Sequence, residues 1–89
     1  RVVTMEGEEI RLTQIEYRLL ALLARHAGMV VTQTQMLAEI WGPGYEYSTH
    51  TLRVHMGNLR QKLMDGQNGR RLIRTETGVG YRLLLDDAL

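Results

Sequence analysis

The sequence contains no cysteine, which excludes disulfide bonds and any zinc site with cysteine ligands. It also lacks an apolar run long enough to cross a membrane and a signal-peptide pattern at its start. We therefore expect a cytoplasmic protein. The 89 residues, 44% of them hydrophobic, suffice for a single domain over 1–89 with a thin core. Because the chain begins at Arg1 without an initiator Met, we expect it to be part of something longer.

The residue combinations of a catalytic or metal site are missing as well. His50 and His55 are five residues apart, which places them on different faces of a helix, and no cysteine could join them on zinc. The G-x-G at 78–80 precedes a predicted strand rather than a helix, so it does not match a dinucleotide site. Ser48 is the only serine, with no acid placed to suggest a triad. We expect no enzyme, no metal and no cofactor.

Net charge is small, at +1, but its distribution along the chain is uneven. Residues 1–47 carry four Arg and six Glu, whereas residues 48–82 carry seven basic and two acidic residues. Positive charge gathered in one stretch is what contact with phosphate requires. A solvated basic face would explain the charge alone equally well. The seven basic residues are Arg53, Arg60, Lys62, Arg70, Arg71, Arg74 and Arg82.

The first third of the chain predicts two short strands and a helix. The strand candidates are Val2–Met5 and Glu9–Leu12, around a Glu6-Gly7 turn. Thr13 and Glu16 then have the spacing of a capping box, which begins a helix over 14–26. Its core stripe has helical spacing. The stripe consists of Ile15, Leu19, Leu22 and Leu23.

Two further helices are predicted in the middle of the chain. After a short apolar bridge at 29–31, Thr32–Gln35 repeats the capping-box pattern and begins a helix over 33–41, which Gly42 and Pro43 end. A loop over 42–48 leads to a third helix over Thr49–Met64. Four apolar residues form one narrow stripe along it. They are Leu52, Met56, Leu59 and Leu63.

The last elements are a polar loop over 65–69 and a hairpin. Its strands are predicted over Leu72–Thr75 and Tyr81–Leu85, and two glycines in the 76–80 turn are free to take positive φ. The element order predicts an α+β fold: a short N-terminal antiparallel sheet, three helices and a C-terminal β-hairpin. Helices two and three would form a helix-turn-helix, and the hairpin its wing.

Helix three has the composition of an element that binds in the major groove of DNA. Asn58 and Gln61 are amides that can pair with adenine, Arg53 can address guanine, and Val54 can contact a thymine methyl. Gly57 would allow close approach to DNA or to another helix. Ordinary variation of surface residues would explain any one of these five side chains. Their combination on one stripe of the helix favours contact with bases. Candidate phosphate contacts are Trp41, His50, Thr51, His55, Arg60, Arg74 and Tyr81.

Five segments resemble the C-terminal effector domain of the OmpR/PhoB response regulators, and together they cover most of residues 2–85. The segments are LTQIEYRLL (12–20), VVTQTQML (30–37), IWG (40–42), TLRVHMGNLRQKL (51–63) and TGVGYRL (77–83). Within the family, three segments resemble a potassium-responsive member in particular. The matching segments are WGP (41–43), MGNLRQKL (56–63) and TETGVGYR (75–82).

The resemblance implies a fold, a site and partners. The recognition helix, about 49–64, would lie in the major groove, with the wing, 72–85, on the DNA backbone or minor groove. Wing contact would come from Thr77, Gly78, Gly80 and Arg82. The family's N-terminal sheet has four strands, of which only two fit before Thr13. Some members carry a wing Arg where this chain has Thr77, so we expect Arg74 and Arg82 to make the wing contacts instead.

The partners that the resemblance implies lie partly beyond this chain. They are a direct-repeat operator in double-stranded DNA, an N-terminal receiver domain absent from this sequence, a second subunit, and a sensor histidine kinase that acts on the receiver. The loop over 42–48 corresponds to the segment that contacts RNA polymerase. A potassium-transport operon would be the target. Two alternatives stay open: a winged helix that binds protein rather than DNA, and a DNA binder that is blind to sequence.

Overall fold

The computed structural model describes residues 2–5, 7–63 and 71–84 of the chain. Three helices and five strands lie in these ranges. In chain order they are β1 (Val2–Met5), β2 (Glu8–Arg11), α1 (Gln14–Arg25), β3 (Val30–Thr32), α2 (Gln33–Ile40), α3 (Thr49–Lys62), β4 (Ile73–Glu76) and β5 (Gly80–Leu83). The predicted turn residue Glu6, the end of helix three at Met64, the 65–69 loop and Leu85 lie outside the described residues.

Helix α1 begins at the predicted capping box. The backbone N–H of Glu16 donates to Thr13 Oγ1 at 3.1 Å, and Thr13 N–H donates to Glu16 Oε1 at 2.9 Å. These bonds satisfy two backbone groups that the first turn would otherwise leave unpaired. At α2, Thr32 accepts from Gln35 N–H in the same way, while the Gln35 side-chain amide donates along the helix to Glu39.

The strands form two antiparallel sheets. Strands β1 and β2 make the N-terminal sheet, and the second sheet has the order β3-β5-β4. Strand β3 was predicted only as an apolar bridge, because three residues are too few to show an alternating pattern. Its pairing is decided by β5: Val31 lies opposite Tyr81, and both side chains are buried.

The two turn glycines serve different purposes. Gly78 has φ 76°, as predicted for the hairpin turn. The prediction of positive φ is wrong for Gly80, which lies in β5 opposite Thr32. A Cβ there would fall 2.8 Å from Thr32 Cα and would overlap the Val31 carbonyl. Gly80 is therefore required because β3 and β5 approach closely, not because the chain turns.

One apolar core joins the three helices to the second sheet. The stripes predicted on α1 and α3 are buried, with Ile15 only partly so. The cluster is completed by Leu12, Val31, Met36, Leu37, Ile73 and Tyr81. The architecture is the α+β winged helix-turn-helix that the sequence predicts. Among the described residues, no helix is both long enough and apolar enough to span a membrane.

Candidate nucleic-acid interface

Helix α3 has a buried face and an exposed face along its whole length. Leu52, Met56 and Leu59 face the core and are at most 1% exposed. The opposite face consists of polar side chains, a glycine and Val54, which is 47% exposed. All five predicted base contacts lie on this exposed face: Arg53, Val54, Gly57, Asn58 and Gln61. Val54 lies outside the apolar core formed by the described residues, and a half-exposed valine among amides makes this face suited to an external partner.

The first turn of α3 exposes two of the predicted phosphate contacts, His50 and Thr51. The N-cap residue Ser48 makes no side-chain hydrogen bond to the helix. Trp41, which follows α2, packs against the core, and its ring lies 5.4 Å from that of His55 at a tilt of 53°. Both rings are half-buried. Trp41 and His55 therefore join the end of α2 to α3 and expose only part of their surface.

Arg60 lies between α3 and the wing. Its Nη2 donates to the carbonyl oxygen of Ile73 at 2.9 Å, and its guanidinium carbon lies 5.6 Å from the centre of the Tyr81 ring. Arg60 is half-buried and Tyr81 is 6% exposed. The structure thus uses both predicted phosphate contacts to pack β4 and β5 against α3, and Tyr81 keeps little surface for a ligand.

The wing carries a charged cluster of Arg74, Glu76 and Arg82. Arg74 lies directly opposite Arg82, and Glu76 is two residues further along β4, on the same face of the sheet. Glu76 Oε2 accepts from Arg82 Nε at 3.1 Å and from Arg82 Nη2, and Arg74 Nε lies 3.4 Å from it. The hydrogen bond from Arg82, aided by the charges of both arginines, holds the pKa of Glu76 below its ordinary value.

Glu76 carried no functional prediction in the sequence, which placed it in the 76–80 turn. The structure extends β4 to Glu76 and so puts it on the same face of the sheet as Arg74, two residues before it. Next to it, the turn residues Thr77 and Gly78 are exposed, and Val79 is 50% exposed. The Val79 carbonyl accepts from Gln33 N–H at 2.9 Å, which ties the wing turn to the start of α2. Of the predicted wing contacts, Gly80 is buried in the sheet.

A second ion pair holds the far end of α3. Lys62 Nζ lies 2.6 Å from Glu16 Oε1, and the Glu16 side chain is only 3% exposed. Burial alone would raise the pKa of the Glu16 carboxyl. Hydrogen bonds from Lys62 and from Thr13, together with the Lys62 charge, outweigh burial and hold that pKa below its ordinary value. Glu16 thus links the start of α1 to the end of the candidate recognition helix.

Known proteins share this fold and much of this sequence. The family model described as "Transcriptional regulatory protein, C terminal" matches residues 7–83. The KDP operon transcriptional regulatory protein KdpE of Escherichia coli K12 is 49% identical over 85 residues, which are 96% of this chain and 38% of that protein. KdpE of Mycobacterium tuberculosis is 42% identical over 80 residues, 90% of this chain and 35% of the relative.

One similar solved structure is that of a DNA-binding domain in a complex. The Klebsiella pneumoniae RstA DNA-binding domain, crystallised in complex with the RstA box, superposes with a TM-score of 0.83 at 28% identity. The match covers 94% of this chain and 83% of that domain. By contrast, the chain spans little more than a third of the length of the two KdpE relatives. It matches the DNA-binding part of such regulators.

Proposed function

The chain belongs to the OmpR/PhoB-type family of C-terminal DNA-binding domains of transcriptional regulatory proteins, and from this membership we propose that α3 recognises a direct-repeat operator. The observation that carries the proposal is the exposed face of α3. A helix fits the major groove, where each base pair presents a distinct pattern of donors and acceptors. Arg53, Asn58 and Gln61 supply donors and acceptors, and Val54 supplies an apolar contact.

Phosphate contacts orient the helix in the groove and carry no sequence information. We assign them first to the exposed His50, Thr51 and Arg74. Trp41, His55 and Arg60 contribute the parts of their side chains that packing leaves accessible, and Tyr81 contributes at most its hydroxyl. The wing lies along the DNA backbone or minor groove through Thr77 and Gly78, with Arg82 behind them.

The regulatory setting of the domain follows from its relatives. We propose that a receiver domain precedes it, that a sensor histidine kinase phosphorylates that receiver, and that two copies then bind adjacent half-sites. The target is a potassium-transport operon, by similarity to the KDP operon regulators. The loop over 42–48 contacts RNA polymerase; its exposed Tyr45 and Tyr47, the latter 94% exposed, support a protein-binding role.

The test is selection of bound sequences from a random double-stranded library by a dimer of this domain fused to a coiled coil. We expect enrichment of a direct repeat, and an affinity that falls steeply with salt because bound phosphates release counterions. Salt-dependent binding without enrichment would instead indicate a domain that is blind to sequence. If no DNA binds even at low salt, the domain is a protein-binding winged helix.

Variants of α3 test the division between base and phosphate contacts. We expect Arg53→Ala and Asn58→Ala each to weaken binding to the selected operator by about 1–3 kcal/mol and binding to random DNA much less, because a lost base contact removes discrimination. Thr51→Val, a change at a proposed phosphate contact, should weaken both DNAs alike. Titration of each variant against both DNAs measures the two losses. Equal losses on both DNAs for Arg53→Ala and Asn58→Ala would contradict the assignment.

A further inference from the structure

We propose that Glu76 is an affinity-limiting residue of the DNA interface: its carboxylate holds Arg74 and Arg82 on the wing and so weakens the sequence-independent binding of phosphate. The proposal rests on the proposed function, because it concerns the same DNA interface. It goes beyond that function because it assigns to an acidic residue the role of opposing DNA binding.

The geometry places one carboxylate between two guanidinium groups. The β4–β5 register sets Arg74 opposite Arg82, and Glu76 follows on the same outer face, so the three side chains converge without distortion of either strand. A single oxygen, Glu76 Oε2, meets Arg82 through Nε and Nη2 and Arg74 through Nε. Across the sheet, β3 presents Val30 and Thr32 beside this cluster, and neither brings charge.

Phosphate competes with Glu76 for the same donors. A guanidinium binds carboxylate and phosphate through the same fork of N–H groups, so an arginine that bonds Glu76 offers fewer donors to DNA. The negative charge of Glu76 also repels phosphates that approach the wing, and it lies well within the screening length of about 8 Å from both arginines. Both effects weaken binding regardless of base sequence.

The cluster is open enough to rearrange when DNA arrives. The side chains of Arg74, Arg82 and Glu76 are 59%, 32% and 22% exposed. Ion pairs this accessible contribute little to folding, so the arginines can leave Glu76 without loss of the fold. Because the weakening of phosphate binding applies to every sequence, it lowers the affinity for the operator and for random DNA by the same factor and leaves their ratio unchanged.

The test compares Glu76→Gln with the wild type on the selected operator and on random duplex DNA over a range of salt concentrations. The amide keeps the shape of the side chain and removes its charge. We expect binding to both DNAs to tighten about three- to tenfold, and the slope of log affinity against log salt to steepen by about 0.9 for each additional phosphate that the variant neutralises. Arg74→Gln in the Glu76→Gln background should remove part of this increase in affinity.

Glu9→Gln is the matched control, because Glu9 is exposed on β2 in the other sheet and its change alters net charge equally. An equal increase in affinity with Glu9→Gln would overturn the proposal, since net charge alone would then explain the effect. Unchanged or weaker binding by Glu76→Gln, and by Glu76→Thr as a second variant, would overturn it too. If the wild type binds no DNA at any salt concentration, the proposed function fails first, and this proposal with it.

Discussion

Arg60 joins helix α3 to the wing. It was predicted as a phosphate contact, yet its guanidinium bonds the Ile73 carbonyl and lies against the Tyr81 ring. Ile73 is fully buried, so its carbonyl would be difficult for water to reach if the arginine were removed. A side chain in this position sets the orientation of the wing relative to α3 before any DNA is bound.

Replacement of Arg60 should therefore affect folding as well as binding. We expect Arg60→Ala to lower the free energy of unfolding by about 1–2 kcal/mol, from one lost hydrogen bond and one cation–π contact, and to weaken binding to all DNA sequences alike. Arg53→Ala, on the exposed face of the same helix, is the control and should change stability by less than about 0.5 kcal/mol. Urea unfolding of both variants measures the difference. Equal stability of Arg60→Ala and wild type would show that Arg60 does not support the wing.

At the scale of elements, two ion pairs among the described residues join helices, and they differ in their exposure to solvent. The Glu16–Lys62 pair links α1 to α3 with a carboxylate that is 3% exposed, while the Arg25–Glu39 pair links α1 to α2 with side chains that are 62% and 44% exposed. Because solvent screens the second pair, it should contribute little to stability. Removal of the Lys62 charge from the Glu16–Lys62 pair should lower stability, because it leaves the buried carboxylate of Glu16 unpaired.

The lowered pKa of Glu16 predicts a loss of stability in acid. Its carboxylate binds protons less readily in the folded state than in the unfolded state. Its contribution to the free energy of unfolding is therefore present above the unfolded pKa of about 4.3, and it is lost as pH falls through the lower folded pKa. We expect Glu16→Gln to reduce stability at pH 7 and to flatten this acid dependence. Urea unfolding from pH 7 to pH 3 measures it, and Glu39→Gln serves as the control. An unchanged pH profile in Glu16→Gln would contradict the prediction.

Glycine has three different roles in the elements of the candidate interface. Gly78 allows the wing turn, Gly80 allows β3 to approach β5, and Gly57 lies on the exposed face of α3, where a Cβ would meet nothing within 4 Å. Of these three, only Gly80 lies where a methyl group would overlap backbone. Each role predicts a different response to alanine.

Gly57→Ala should stabilise the domain by about 0.5–1 kcal/mol, since glycine weakens a helix interior, and should weaken operator binding if Gly57 faces the bases. Gly80→Ala should destabilise it by at least about 1–3 kcal/mol through the clash with β3. The effect of Gly78→Ala on stability should lie between those of the other two variants, because its positive φ disfavours a side chain while its surroundings are open. Thermal unfolding of the three variants ranks them. A Gly80→Ala variant as stable as Gly78→Ala would contradict this account of the sheet.

At the scale of the whole molecule, the basic stretch of the sequence is partly neutralised within the fold. Lys62 pairs with Glu16 from the acidic half of the chain, and Glu76 meets Arg74 and Arg82. The +5 of residues 48–82, from seven basic and two acidic residues, therefore overstates the positive charge that the described surface offers to DNA. We therefore expect one domain to bind weakly, and a second domain on an adjacent half-site to raise the affinity.

A tethered dimer tests this expectation. We expect it to bind a direct repeat about 10²–10⁴ times more tightly than the monomer does, because linkage makes the second binding event intramolecular. The same half-sites placed as an inverted repeat form the control and should show a smaller increase. Gel-shift titration gives both ratios. A monomer that binds as tightly as the dimer would show that one domain suffices.

The sequence by itself determined the three helices, the buried faces of α1 and α3, and the exposed face of α3. The capping box at Thr13 and the stripes on α1 and α3 act within one or two turns of chain, so local periodicity was enough to predict them. The same periodicity placed Val54, Gly57 and Asn58 on the exposed face of α3.

Only the tertiary structure decided which distant residues meet. The three-residue strand β3 forms because β5 offers it a partner, and Gly80 is constrained by that pairing rather than by its turn. The sequence predicted Arg60 and Tyr81 as phosphate contacts on the surface, but in the fold they pack the wing against α3. Lys62 likewise pairs with the carboxylate of Glu16, 46 residues away in the sequence. Contacts at such separation leave no periodic pattern, because they depend on how whole elements pack and not on the chain nearby.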